Sequence, residues 1–317
     1  SNVPVGNNAL ENITTGCYNT PSGYNAGCST TTGKHNTFSG YAAGKLNSSG
    51  CYNTASGYRS LLYNSTGKFN TAFGGCALFC NTTSECNTGV GYNALRDSTT
   101  GSQNVAVGWA ANQTNTTGNY NTSMGTGALH LNTTGGSNVA LGFKSLFQNT
   151  TANHNIGIGH EALENTTTGD SNTAVGGVAL ETNTTGSFNI AMGKYALNGN
   201  TTGCRNTGLG YAALIYNTTG NFNTAVGACA AYNTSTGINN TVIGFAALRA
   251  NSTGCNNTVV GYHAMCSNTT AKHNTAVGYQ ALMDNTTGTY NTAFGYRSAF
   301  NVSTGCQTTA SGYNALY

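Results

Sequence analysis

An Asn stands at every seventeenth position of this chain, at Asn2, Asn19, Asn36, Asn53, Asn70, Asn87 and onward to Asn274 and Asn291. Residues 2–307 form 18 full repeats without an insertion or deletion, and a nineteenth, 308–317, carries Thr308 in place of its Asn. A period held this strictly is the signature of units that stack. A linker tolerates drift in length, whereas a coil in register with its neighbours does not. The expected organisation is therefore a single repeat array over residues 1–317.

With the recurring Asn as position one, a representative unit is Asn274 to Tyr290, NTAVGYQALMDNTTGTY. Position five is Gly in all nineteen copies, position two is always Thr, Val or Ile, and position eight is always Ala or Ser. Position four is apolar in fifteen copies, position nine is Leu in thirteen, and position six is Tyr, Phe or Trp in twelve. Branched residues at two and apolar ones at four give the period-two pattern of a short strand. Gly at five ends it, through a positive φ or a close approach of backbones. A second short strand is expected over positions seven to ten. The Asn/Ser-Thr-Thr-Gly segment at twelve to fifteen reads as a turn with a left-handed Gly. No apolar stripe of 3.6-residue period supports a helix. The expected fold is all-β: a parallel β-solenoid or β-roll of about 19 coils stacked about 4.8 Å apart, with positions two, four, eight and nine turned inward.

Composition narrows the function classes. Only 6% of residues are charged and the net charge is +3. Leu, Ile, Val and Phe together make about 16% of the chain, too few for a conventional globular enzyme core. Disorder normally brings a high net charge, which is missing. Eleven cations over 317 residues form no basic stripe, so nucleic acid is not an expected partner. No apolar run approaches the roughly 20 residues of a membrane span. A thin core with spare Tyr and Leu invites self-association, as a homotrimer sharing an apolar axis or as a lateral or end-to-end filament. A self-sufficient single chain is the alternative.

The unit NTAVGYxALxxNTTGxx resembles the tandem repeats of phage and large-virus tail-fibre or surface-fibre proteins. It is more distantly similar to the head repeats of trimeric autotransporter adhesins, whose NSVAIG-like core is matched by residues 172–176 and 104–108. The resemblance covers the whole chain and implies a parallel β-roll fibre, commonly trimeric, acting as a shaft or an adhesive head at an extracellular or virion surface. The seventeen-residue period and the 11 Cys depart from the autotransporter pattern. Residues 16–37 also align with residues 254–275, fourteen repeats later. This looks like block duplication, and the chain is expected to be a segment of a longer filament.

Two residue types stand out on this scaffold. Eleven Cys suggest an oxidising compartment. Recurrent spacings point to disulfide staples Cys17–Cys28, Cys51–Cys76, Cys204–Cys229 and Cys255–Cys266, with Cys80 and Cys86 the remaining pair and Cys306 left over. Buried free thiols are the alternative. Sixteen repeats carry an Asn-X-Ser/Thr sequon in the turn: Asn12, Asn47, Asn64, Asn81, Asn115, Asn132, Asn149, Asn165, Asn183, Asn200, Asn217, Asn233, Asn251, Asn268, Asn285 and Asn301. Asn239 and Asn256 add two more. These are candidate N-glycan acceptors, and a hydrogen-bonded turn ladder is the competing reading. No zinc-type Cys/His spacing occurs, and the eight carboxylates lack a recurring His or nucleophile partner. No catalytic site, metal or cofactor is expected. The expected function is a glycosylated, stapled fibre shaft. The alternatives are an adhesive fibre binding receptors or glycans and, third, an ice-binding solenoid, which needs bare ranks of Thr.

Overall fold

The computed structural model describes residues 1–316. Two compact units divide the chain, Ser1–Asn155 and Ile156–Tyr317, and each is a parallel β-solenoid with one coil per repeat. Strands β1 (Thr20–Ser22) to β8 (Val139–Leu141) belong to the first unit, and β9 (Ile156–Ile158) to β18 (Thr309–Ser311) to the second. Every strand is three residues long and occupies positions two to four. Paired residues stand one full repeat apart, as in Thr20↔Thr37 and Thr173↔Ile190. No helix occurs among the described residues.

The strand faces the opposite way from the expectation. Position three points inward: Ala55, Ala72, Ala106, Ala174, Ala191 and Ala225 are fully buried. Positions two and four lie outward of it, in patterns such as exposed-buried-exposed for Thr37–Ser39. The cause is the Asn at position one, which is itself buried in the coil, as at Asn53, Asn104 and Asn189. Strand alternation then places three, not two and four, on the same side. Ala suits that position because Leu at nine fills most of the interior. Where Phe38 stands there instead, position nine is Gly44 in its own coil and Gly27 in the preceding one. A Cβ at those glycines would meet the Phe38 ring at 2.5 and 2.9 Å.

The second strand is replaced by a different backbone. Positions seven and nine are left-handed, as at Arg59 (φ 52) and Leu61 (φ 52), and so is position seventeen, as at His35 (φ 56). Each such L-residue costs about 1–2 kcal/mol. The compensation is that each amide donates into a neighbouring coil. Arg59 N–H reaches Tyr41 O at 2.9 Å, Leu61 N–H reaches Ala77 O at 2.9 Å, and His35 N–H reaches Cys17 O at 3.1 Å. The backbone is thereby satisfied without strand geometry.

Gly at position five meets both of its expected requirements. Gly176 has φ 135, and a Cβ there would sit 2.7 Å from the carbonyl carbon of Gly193. The turn differs from expectation, because Gly at fifteen is outside the left-handed region. Instead, three successive amides converge on one carbonyl of the next coil: Ser48, Ser49 and Gly50 all donate to Ser65 O, at 3.1, 3.0 and 3.3 Å.

Two asparagine ladders run inside the coils. At position one, Asn36 Nδ2 donates to Asn19 Oδ1 at 3.0 Å and to Gly50 O at 2.8 Å. At position twelve, Asn132 Nδ2 donates to Asn115 Oδ1 at 2.8 Å and to Gly135 O at 2.9 Å. Asn121, at position one of that coil, donates to the same Gly135 carbonyl at 2.8 Å.

Two stability tests follow from this packing. Gly176→Val should destabilise its unit by more than about 2 kcal/mol, from positive φ and backbone overlap together. That is a fall of at least roughly 4 °C in melting temperature, and an unchanged melt would contradict the stacked column. Asn112 occupies the Leu position nine with neither amide atom partnered, although it is fully buried. Asn112→Leu should therefore stabilise by about 1–3 kcal/mol, read by denaturant unfolding.

Candidate functional surfaces

The fold consumes the positions that scarcely vary. Positions one, three, five, eight, nine and twelve to fifteen build ladders, core and turn. Positions seven, ten, eleven, sixteen and seventeen change from coil to coil, so any chemistry specific to part of the chain lies on them or on the outward strand face.

The sequons do not fall on a common outer rim. Twelve of the sixteen sit at position twelve and are fully buried: Asn47, Asn64, Asn81, Asn115, Asn132, Asn149, Asn183, Asn200, Asn217, Asn251, Asn268 and Asn285. The Nδ2 that would carry the sugar is already a donor. Asn200 Nδ2 gives to Asn183 Oδ1 at 2.8 Å and Gly203 O at 3.0 Å, and Asn217 Nδ2 to Asn200 Oδ1 at 2.8 Å. A glycan on these atoms is incompatible with the folded coil, so the ladder reading fits these twelve. The other four, at position eleven, differ: Asn12, Asn233 and Asn301 are exposed and Asn165 is half-buried. The two additional sequons at position seventeen, Asn239 and Asn256, are exposed.

The expected staples are absent as well. Cys17, Cys28, Cys51, Cys76, Cys80, Cys86, Cys204, Cys229, Cys255, Cys266 and Cys306 are all free thiols. In-register stacking sets each residue against its own position in the next coil, one full repeat away, and no two Cys have that spacing. The 11- and 25-residue spacings join different positions around the coil, so a small axial offset does not bring them together. Position sixteen gives Cys another role. Its Sγ accepts the backbone N–H of the preceding coil, from Lys34 to Cys51 at 3.3 Å and from Ser187 to Cys204 at 3.3 Å. Ser102 Oγ and Asn119 Oδ1 do the same work in their coils, at 3.1 and 2.7 Å. Cys here is one of several interchangeable acceptors.

The thiols differ in acidity. Burial pushes Cys28 up, with the Glu11 carboxylate adding to it. Burial and Asp97 do the same for Cys80, and burial alone leads for Cys266. Exposed Cys306 is lowered, because the Thr289 hydroxyl and then its N–H donate to the sulfur.

Three further surface features are well defined. Aromatic rings stack along position seventeen, Tyr18–His35–Tyr52–Phe69, with centroids 4.9, 4.8 and 5.1 Å apart. They also stack along position six, through Tyr24–Tyr41–Tyr58 in the first unit and Phe245–Tyr262–Tyr279–Tyr296–Tyr313 in the second. Carboxylates of Glu161, Glu164 and Glu181 come within 4.8 Å of one another. Glu181 accepts from Asn198 Nδ2 at 2.8 Å, and His160 Nδ1 lies 3.3 Å from Glu161. The sequence brought Glu161, Glu164 and His160 together, but Glu181 joins only through stacking. Position-thirteen hydroxyls donate to carbonyls of the next coil, as Thr99 Oγ1 to Thr116 O at 3.0 Å, whereas Thr20, Thr37 and Thr54 at position two stand exposed on the outward strand face.

No family model, curated protein or solved structure matches the chain.

Denatured, unreduced protein should titrate eleven thiols with a colorimetric disulfide reagent. In the native state near pH 7.5, iodoacetamide should label Cys306 ahead of Cys28, Cys80 and Cys266, since lowering its pKa raises its thiolate fraction there. Protein secreted from a glycosylating host should lose mass under glycosidase only from among Asn12, Asn165, Asn233, Asn239, Asn256 and Asn301. Sugar on folded protein at Asn183, Asn200 or Asn217 would overturn the buried ladder.

Proposed function

We propose that this chain is a structural segment of an extracellular or virion-surface fibre, a shaft with no catalytic chemistry of its own. The observation that carries the reading is that positions one, five, eight, nine and twelve are spent on ladders, core and close backbone contacts between adjacent coils, a design that repeats without limit and builds no enclosed site. The likeness of the unit NTAVGYxALxxNTTGxx to tail-fibre repeats, and of residues 104–108 and 172–176 to adhesin-head repeats, supports the same assignment. Neither disulfide staples nor glycans are needed for it.

The shaft assembles from several copies through the outward strand face. Position four there carries Met192, Ile243 and Phe294, 43–47% exposed, on the unit that also carries the position-six column from Phe245 to Tyr313. A three-residue strand spans about 10 Å and each coil is about 4.8 Å tall, so one coil presents about 50 Å² of this face. The ten strands of the second unit then offer about 500 Å² per copy, and the rings at position six supply the remainder of the about 800 Å² per partner of a standard interface. With so few charges, solubility of the lone chain is poorly protected, and a second copy has the matching corrugation. A trimer with a shared apolar axis is the closed form of this contact.

A second reading, an adhesive surface, is favoured by the gathering of variable positions seven, ten and eleven on one face. Sedimentation velocity at micromolar concentration tests the assembly. The wild-type chain should form a homo-oligomer, and the triple variant Met192→Lys, Val226→Lys, Ile243→Lys should dissociate it while keeping the β-type circular dichroism of the folded coil, with a melting temperature lowered by the lost association. A wild-type monomer would overturn the proposed contact.

A further inference from the structure

Two adjoining cavities lie on the variable face of the first unit. The first, about 230 Å³, is lined by Tyr41, Lys45, Leu46, Arg59, Tyr63 and Phe79, over a floor of Ala42 and Leu62. The second, about 340 Å³, shares Arg59 and Phe79 and adds Cys76, Cys80, Tyr92, Asn93, Arg96 and Asp97. From these we propose that the first unit carries a groove for an acidic saccharide, with a uronate-type ring in the first cavity and a neutral, hydroxyl-rich ring in the second. The proposal goes beyond the shaft reading and does not depend on it.

Charge selects the first ligand group. Lys45 and Arg59 both line the first cavity, no carboxylate does, and neither cation is in an ion pair among the described residues. In a chain with 11 cations, two unpaired ones meeting at one cavity form a local anion site. Arg59 lies over the Tyr58 ring, 5.1 Å from its centroid, which holds the guanidinium against the aromatic column. Its fork matches a carboxylate.

The walls select the rest of the ligand. Tyr63 and Phe79 meet edge-on at 5.1 Å, and Tyr41 is fixed in its stack between Tyr24 and Tyr58. These rings offer apolar surface beside phenolic hydroxyls, which suits a ring with an apolar face and a polar rim and is wasted on a bare phosphate. The first cavity is smaller than the roughly 300–1,000 Å³ of sites for drug-sized ligands, room for a single ring. In the second, Arg96 donates to both Asp97 oxygens, at 2.8 and 2.7 Å. That neutralised pair offers hydrogen bonds to hydroxyls without net charge. The shared wall of Arg59 and Phe79 joins the two rings into one chain.

The local sequence explains why the groove is here. Position seven is the small Ala42 beside Arg59, and positions ten and eleven of the following coils carry the large Phe79 and Tyr63. At position seventeen of the second unit an Arg is sandwiched instead. Arg205 lies between Phe188 and Phe222, 5.4 and 5.5 Å from their centroids, and serves as an internal control.

The test is calorimetric titration of the full chain with hyaluronan tetrasaccharide, in which glucuronate alternates with N-acetylglucosamine, and with uncharged chitotetraose. Saturable hyaluronan binding is expected, weakening as salt rises and at least tenfold tighter than chitotetraose. Arg59→Gln should weaken it at least tenfold and Phe79→Ala several-fold, with Arg205→Gln unchanged. Arg59 is exposed, so its variant should keep the wild-type melting temperature, and Arg59→Lys should recover part of the affinity. No saturation, equal binding of chitotetraose, indifference to Arg59→Gln, or full displacement by equimolar inorganic sulfate would each overturn the saccharide site.

Discussion

The carbonyl at position fifteen, receiving one buried amide from position one and another from position twelve, is the contact on which the coil depends. Gly203 O shows it in the second unit, with Asn189 Nδ2 at 2.8 Å and Asn200 Nδ2 at 3.0 Å. A buried primary amide without partners costs free energy. Here each amide is satisfied partly by its own coil and partly by the identical amide one coil away. That second half exists only if the next Asn arrives after the same length of chain. The fixed period is therefore a hydrogen-bond requirement as much as a packing one. Its failures are visible: Asn217 Oδ1 and Asn285 Oδ1 are unpartnered, and the residues one repeat further on are Thr234 and Val302, which carry no amide.

Much of this was legible in the sequence because stacking acts at one fixed interval. The coil period, the parallel register, the ending of the strand at Gly176 and its equivalents, and the burial of Ala and Leu at eight and nine all follow from periodicity and residue size. The facing of the strand did not, because Asn is read as a surface residue until something inside the coil can satisfy it. That single misplacement reversed positions two to four. It also made a buried ladder at Asn183, Asn200 and Asn217 look like a rim of sugar acceptors, since the sequon records residue types and says nothing of where Nδ2 is spent.

The second segment was illegible for another reason. Leu and Ala at nine and eight fit a strand by composition, whereas Leu61 and its equivalents are left-handed, a conformation that local propensity disfavours. The neighbouring coils impose it, by accepting the amides of positions seven and nine on opposite sides. The Cys misreading has the same root. Spacing along the chain fixes the axial offset alone, while position around the coil decides which side chains meet. Cys51 faces the amide of Lys34 and no other thiol.

A repeat of this kind separates holding the fold from displaying chemistry more cleanly than a globular core does. Ladder positions cannot change without leaving amides unpaired, but the side chains at positions seven, ten and eleven belong to no asparagine ladder and can change one coil at a time. Sites on such a surface are assembled across coils. Lys45, Arg59 and Phe79 line one cavity although they come from three successive coils, and Glu181 joins Glu161 and Glu164 in the same manner. A motif confined to one repeat cannot contain these groupings, and an averaged repeat erases them, because each depends on what differs between one coil and the next. The informative residues of this chain are the departures from its period.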